Sequence, residues 1–251
     1  MSLEIDLAEV RRLEELAFRG WPALETRDVA GWRLRFANGY TKRANSINAL
    51  SPEARSGAET RLALEAAYRE RGMLPVWRLT PLAPLLVKDV LAEPAYRRIE
   101  RSFVQVAPLQ PAFALDPHVG IERRPSARWL ATFARHSPVP PQHRATMQQL
   151  LLAMPNAGFA LVEHAGEPTA MAVGVLDGIH MGLFDVLVMP HARRRGLARR
   201  VTESLFAWAR GEGAQFAYLQ VVATNTAALA LYESQGFRTV YDYEYRLPSA
   251  P

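Results

Sequence analysis

The chain has 251 residues, 49% of them hydrophobic, and carries 30 Lys+Arg against 25 Asp+Glu, a formal net charge of +5. It contains no cysteine, which excludes disulfides, thiolate metal sites and an acyl-cysteine intermediate. No apolar run is long enough to span a bilayer and the N-terminus has no signal-peptide pattern, so a cytoplasmic protein that does not enter a membrane is expected.

Apolar positions at Leu7, Val10, Leu13, Leu16 and Ala17 have helical spacing over 5–19. Trp32, Leu34 and Phe36 alternate with arginines and predict a half-buried strand. Asn38-Gly39 is a hairpin turn signal, with a second strand from 40 to about 50. A helix over 57–71 stops at Gly72, followed by a strand at 75–79, a helix at 84–93 and a strand at 96–106. Pro108, Pro111 and Pro117 then mark an extended connector. This places a boundary near residue 116, giving units at 1–115 and 116–251. The second unit opens with helices at 126–136 and 142–154, separated by the turn Pro138-Val-Pro-Pro141. Strands follow at 159–163, 169–176 and 180–188, then a helix at 196–210, a strand at 217–222, a helix at 226–235 and a strand at 237–247.

The only lysines are Lys42 and Lys88, so arginine supplies nearly all the positive charge. The arginines are spread along the chain, as a compositional bias would leave them. One dense cluster stands out, Arg193 to Arg195 with Arg199 and Arg200. It lies where the apolar strand Val186-Leu187-Val188 ends and Gly196 opens an amphipathic helix. Free N–H groups in the first turn of a helix, together with its dipole, favour an anion, and arginines grip a diphosphate bidentately. This junction predicts a phosphate-bearing cofactor.

Arg193, Gly196 and Ala198 fit the acetyl-CoA signature of the GCN5-related N-acetyltransferases. Asn225, Ala228, Leu231, Tyr232, Gly236 and Phe237 resemble that family's later motif, in order and at a typical distance. The resemblance covers about residues 155–247. It implies an α/β fold of the α+β kind, a mixed and mostly antiparallel sheet flanked by helices. The first half resembles a shortened copy of the same order. Its counterpart of the phosphate loop, Ser51-Pro-Glu-Ala-Arg-Ser-Gly57, departs from the signature, so two units in tandem with a degenerate first unit are expected.

The resemblance further implies an N-acetyltransferase that uses acetyl-CoA and releases CoA. A primary amine of a small molecule or peptide would attack directly in a ternary complex. Val186, Leu187 and Val188 would bond the pantetheine arm. Arg193, Arg194, Arg195, Gly196, Leu197, Ala198 and Arg199 would form the diphosphate loop, and Asn225 would hold the pantetheine amide. Tyr232 matches the tyrosine that protonates the departing sulfur. For the base, Asp185 and Glu163 are both open, with His180 and His191 as further titratable groups. Acceptor contacts are expected from His136, His143 and Arg144, with Trp32, Arg43 and Asn45 closing the pocket. No His/Asp/Glu cluster has metal-ligand spacing, so no metal is expected. Two other readings remain: a silent acyl-CoA-binding module, and a nucleic-acid binder using the arginine cluster, which the two-part motif disfavours. The oligomeric state is open between monomer and homodimer.

Overall fold

The computed structural model describes residues 5–249. They divide into two compact units. The first comprises residues up to 104 together with 221–225 and those from 239 on. The second comprises 105–220 and 226–238. The expected split near 116 thus meets an interleaved chain, whose last strand belongs to the first unit.

In the first unit, Asp6 caps helix α1 (Leu7–Gly20) by accepting from the Ala8 N–H at 2.9 Å. Strands β1 (Glu25–Val29), β2 (Trp32–Phe36) and β3 (Ile47–Ala49) pair antiparallel in that order. Helix α2 (Ala58–Arg69) then crosses to β4 (Trp77–Leu79), which lies parallel to β3. Helix α3 (Leu85–Ala92) and β5 (Tyr96–Pro108) follow, the chain leaving the first unit after Val104. The C-terminal strand β11 (Arg238–Pro248) pairs antiparallel with β4.

Three features here differ from the sequence reading. β1 was not expected, because Glu-Thr-Arg-Asp-Val is an exposed edge strand without apolar alternation. It reaches β2 through Ala30-Gly31, both at positive φ, a turn geometry that Ala seldom signals. Asn38 and Gly39 do turn the chain with positive φ, yet a 3-10 turn at Lys42–Ala44 delays the next strand to Ile47. Asn45 is committed to that turn. Its side chain accepts from the N–H groups of Ala37 and Gly39 at 2.7 and 2.9 Å and donates to Thr41 O at 2.8 Å.

The second unit runs β6 (Val119–Glu122), α4 (Ala127–His136), a 3-10 turn at Pro141–His143, α5 (Arg144–Leu152), β7 (Ala157–His164), β8 (Glu167–Asp177) and β9 (His180–Val188). Helix α6 (Leu197–Gly211), β10 (Phe216–Val222) and α7 (Thr226–Ser234) complete it. β6 lies between the proline-marked connector and the first expected helix of this unit, where the sequence reading places no element, and pairs antiparallel with β7. β7, β8 and β9 are antiparallel neighbours, and β10 is parallel to β9. Helices cover both faces. A Cβ on Gly158 would meet Trp208 of α6 at 2.8 Å, while the next residue, Phe159, packs edge-on against Trp129 of α4 at 5.2 Å. Adjacent strand residues point to opposite faces.

The order helix, three antiparallel strands, helix, parallel strand, helix, strand therefore occurs twice along the chain, and the sheet is mixed and mostly antiparallel as expected.

The core of the first unit holds a buried ion pair. Arg78 donates to both carboxylate oxygens of Glu14, and Tyr241 Oη donates to Glu14 Oε1 at 2.5 Å. Both charges are about 2% exposed, so neither can exchange its partner for water. Removing one member leaves the other buried and uncompensated, at a cost of about 3–5 kcal/mol. Glu14→Ala is therefore expected to lose about that much stability in urea unfolding, and the double change Glu14→Leu/Arg78→Met to recover part of it.

Candidate active site

The site grows from one irregularity in β9. β8 and β9 pair Val173↔Phe184, and resume with Met171↔Leu187. Between these pairs β8 contributes Ala172 alone while β9 contributes Asp185 and Val186. Two residues facing one is a β-bulge, which bends the strand and sharpens its twist. Asp185 sits in it with φ of 50°, a left-handed conformation that aspartate tolerates better than most residues.

The consequence appears on the other edge of β9. Parallel pairing with β10 runs from His180↔Phe216 to Leu183↔Leu219 and stops there, just before the bulge. β9 continues to Val188 and β10 to Val222. Residues Asp185 to Val188 are half-buried and lie beyond the last pair with β10.

At the end of β9 a 3-10 turn, Pro190–Ala192, leads into the arginine loop. Arg194 and Gly196 both have positive φ, at 59° and 74°. Gly196 is the N-cap of α6 and supplies no side chain. A Cβ there would find nothing within 4 Å, so the approach to the first helical turn is open. The first helical backbone bond is from Arg200 N to Gly196 O, leaving the N–H groups of Leu197, Ala198 and Arg199 without intrahelical acceptors.

The arginines divide into two sets. Arg199 donates to Glu203 at 2.8 Å and to Ser234 of α7 at 2.6 Å, and Arg200 pairs with Asp116. Arg193 Nε approaches Val188 O at 3.4 Å. Arg194 and Arg195 are exposed and, among the described residues, hold no ion pair.

A family model described as "Probable histone acetyltransferase Rv0428c C-terminal" matches residues 7–246. The chain belongs to that family, and so to the GCN5-related N-acetyltransferases. It is similar to the uncharacterized N-acetyltransferase YobR of Bacillus subtilis, at 27% identity over 248 residues, 95% of this chain and 98% of that protein. Among solved structures it resembles a GCN5-related N-acetyltransferase from Kribbella flavida, with TM-score 0.69 at 15% identity over 96% of each chain. It also resembles a tandem GNAT protein from the clavulanic acid biosynthesis pathway, with TM-score 0.64 at 10% identity over 96% of this chain and 88% of that one. The protein is an N-acetyltransferase, and acetyl transfer to an amine is its chemistry.

In this acetyltransferase Tyr232 lies on α7, buried, with its ring 5.7 Å from Phe237, which in turn lies 5.7 Å from Phe206 of α6. Burial pushes the phenol up to about 12. Gln235 Nε2 donates to Thr202 Oγ1 at 2.8 Å, so two side-chain bonds, this one and Arg199 to Ser234, tie the end of α7 to α6. The sequence motif included neither Ser234 nor Gln235, since their importance depends on which helix faces them.

Other candidates stand apart. Glu163 is exposed at the β7–β8 turn and pairs with Arg128 at 2.6 Å, beside a cleft of about 160 Å³ lined by His118, Trp129 and Phe159. Asn225 directly precedes α7, is exposed, and donates its N–H to Val222 O at 2.9 Å. His191 is exposed in the 3-10 turn, and the His180 ring stacks on Phe216 at 5.7 Å. Trp32 is a core residue. Its Nε1 donates to Arg55 O at 2.7 Å and its ring meets Trp77 edge-on at 5.2 Å. Arg43 lies 5.0 Å over the Trp21 ring.

The raised phenol makes a prediction for alkaline stability. The folded protein keeps the Tyr232 proton to about pH 12, whereas the unfolded chain releases it near pH 10. The stabilisation is complete below pH 10 and is lost as pH rises from about 10 to 12. Tyr232→Phe should lessen the fall in stability over that window, as read by urea unfolding at stepped pH.

Proposed function

We propose that acetyl-CoA is the acyl donor and that a primary amine attacks it directly, with both held on the protein at once. The observation that carries this reading is the bulge at Asp185, where pairing between β9 and β10 stops beside a helix N-terminus open to an anion. The residues present fit such a cofactor. Val186 and Val188 turn their N–H and C=O away from β8, on either side of Leu187, and suit the amides of a pantetheine arm, one N–H there suiting the thioester oxygen. The N–H groups of Leu197, Ala198 and Arg199 suit a diphosphate, with Gly196 leaving room and Arg193, Arg194 and Arg195 adding charge. When bound, the cofactor supplies an acetyl group activated as a thioester.

The protein's own groups handle the protons. Asp185, half-buried in the bulge, is our choice of base for the incoming amine. Glu163 is less suited, being exposed and already paired with Arg128. Tyr232 stays protonated through the physiological range, so its hydroxyl is available as a donor to the sulfur as the C–S bond breaks. Arg199 serves through its backbone N–H, its side chain being engaged by Glu203 and Ser234.

We further propose a tandem arrangement with one cofactor per chain. The register from β2 to β3 is unbroken, and loop 50–55 is bonded to the β1–β2 turn through Leu50 N to Gly31 O and Arg55 N to Ala30 O. The first unit thus has neither bulge nor open loop at the matching place. A neighbour in fold described as a tandem GNAT protein supports the tandem arrangement.

Calorimetric titration with acetyl-CoA should give one site per chain. Gly196→Trp is expected to abolish that binding at a cost of about 1–2 kcal/mol in stability, since the new side chain has space but must hold positive φ. Full affinity in the folded variant would refute the site. For Tyr232→Phe, thiol release with a reactive amine should slow about a hundredfold while acetyl-CoA affinity holds; unaltered turnover would remove Tyr232 from the reaction.

A further inference from the structure

The first unit carries a groove of about 710 Å³ between its edge strand β1 and helix α2. Its floor is Leu34, Ala63, Leu64 and Ala67, and its rim includes Arg27, Arg55 and Glu59. The second unit shows what fills the matching place there. β7 stands to α6 as β1 stands to α2, being the first of three antiparallel strands before the crossover helix. β6 pairs antiparallel with β7 and also packs against α6. The first unit has no counterpart of β6 among its described residues, and β1 ends its strand order.

The backbone of β1 is set up to accept one more strand. Arg35 N donates to Ser46 O, so the polar groups of Arg35 point toward β3 and those of Leu34 and Phe36 point toward β1. Their partners Arg27 and Glu25 therefore point inward, and Thr26 and Asp28 present their N–H and C=O outward. The side chains of Glu25, Arg27 and Val29 share the face of Leu34, the α2 side.

We propose that the occupant is β1 of a second copy of this chain, paired antiparallel across a two-fold axis at Thr26. This register exchanges two backbone hydrogen bonds between Thr26 and Thr26 of the other copy. It sets Glu25 opposite Arg27 twice, in the non-bonded pairs where side chains come closest. Charges on an edge strand ordinarily keep other strands away. Here they are of opposite sign at positions that a two-fold axis brings together, so they select this register and oppose the one that sets Arg27 against itself. Val29, 48% exposed, and Leu24, 45% exposed, flank the strand and gain cover from the same contact.

The experiment is the solution mass of the full chain by sedimentation velocity from low to high micromolar concentration. The expected result is a concentration-dependent dimer. Thr26→Pro removes a donor that faces outward, where proline is tolerated, and should give a monomer that retains its acetyl-CoA thermal shift. Arg27→Glu should also give a monomer, by setting Glu25 against a carboxylate, and the exchange Glu25→Arg/Arg27→Glu should restore the dimer. A wild-type chain monomeric throughout, or a dimer indifferent to these changes, would overturn the proposal. Failure of the double exchange to restore the dimer would overturn the register. Since none of these residues touches the acetyl-CoA site, the outcome is independent of the cofactor reading.

Discussion

The architecture of the proposed acetyl-CoA site depends on one extra residue in one strand. β9 satisfies two demands that a regular strand cannot meet together. It stays paired with β8 to its end at Val188 and parts from β10 beyond Leu183. The bulge reconciles them by changing the twist of β9 locally while its register with β8 resumes at Leu187. A left-handed backbone at a non-glycine residue costs of order 1 kcal/mol, and it persists where surrounding structure over-determines it. Here ladder pairs on both sides of Asp185 do so. The result is a stretch of β9 backbone with no ladder partner on the β10 side.

Much of the basic excess has structural work. Arg35 is about 2% exposed and, among the described residues, has no carboxylate in an ion pair with it. Its guanidinium donates to Phe18 O, Trp21 O and Arg43 O, and the first two are carbonyls at the C-terminal end of α1. The negative end of the helix dipole thus acts as its counter-charge. Its depressed affinity for the proton, down to about 10, reflects burial first and the neighbouring Arg78 second. Arg78 is matched by Glu14, Arg33 by Glu15 and Asp28, and Arg200 by Asp116. The exposed pair Arg194–Arg195 is what remains for an anion at the helix N-terminus.

The sequence made the loop, the helix after it and the order of the second unit legible because each rests on local pattern. Gly196 needs positive φ, α6 has its apolar stripe, and β7 to β9 are long apolar runs. The bulge was hidden, because Asp185 in an apolar strand looks like an ordinary charge near a strand end. Its backbone angle follows from pairing on two sides, which no single segment encodes. β1 and β6 were hidden for a related reason. One is an exposed edge strand and the other a four-residue strand among prolines, so each depends on its neighbour rather than on its own propensity. For Arg199 the sequence shows the place in the loop but not the side-chain partners, Glu203 and Ser234, since the second is set by how α7 meets α6.

The two units show how little of this capacity lies in the order of elements. Both run three antiparallel strands into a crossover helix and a parallel strand. In the first, the residues between strand and helix are drawn onto the preceding hairpin. Gly31 comes so close to Ala54 that a Cβ would sit 2.8 Å from its Cα, and Trp32 Nε1 bonds Arg55 O. The N–H groups of Leu50 and Arg55 are likewise taken, by Gly31 O and Ala30 O. In the second, the backbone holds to β8 as far as the bond from Met189 N to Thr169 O, and the turn that follows bonds within itself, Ala192 N to Met189 O. A change that released loop 50–55 would still leave β3 unbulged and paired with β4 at Ile47↔Trp77 and Asn48↔Arg78. On the proposed reading, cofactor capacity rests on two coupled local features, an opened strand and an open loop, and the first unit has neither.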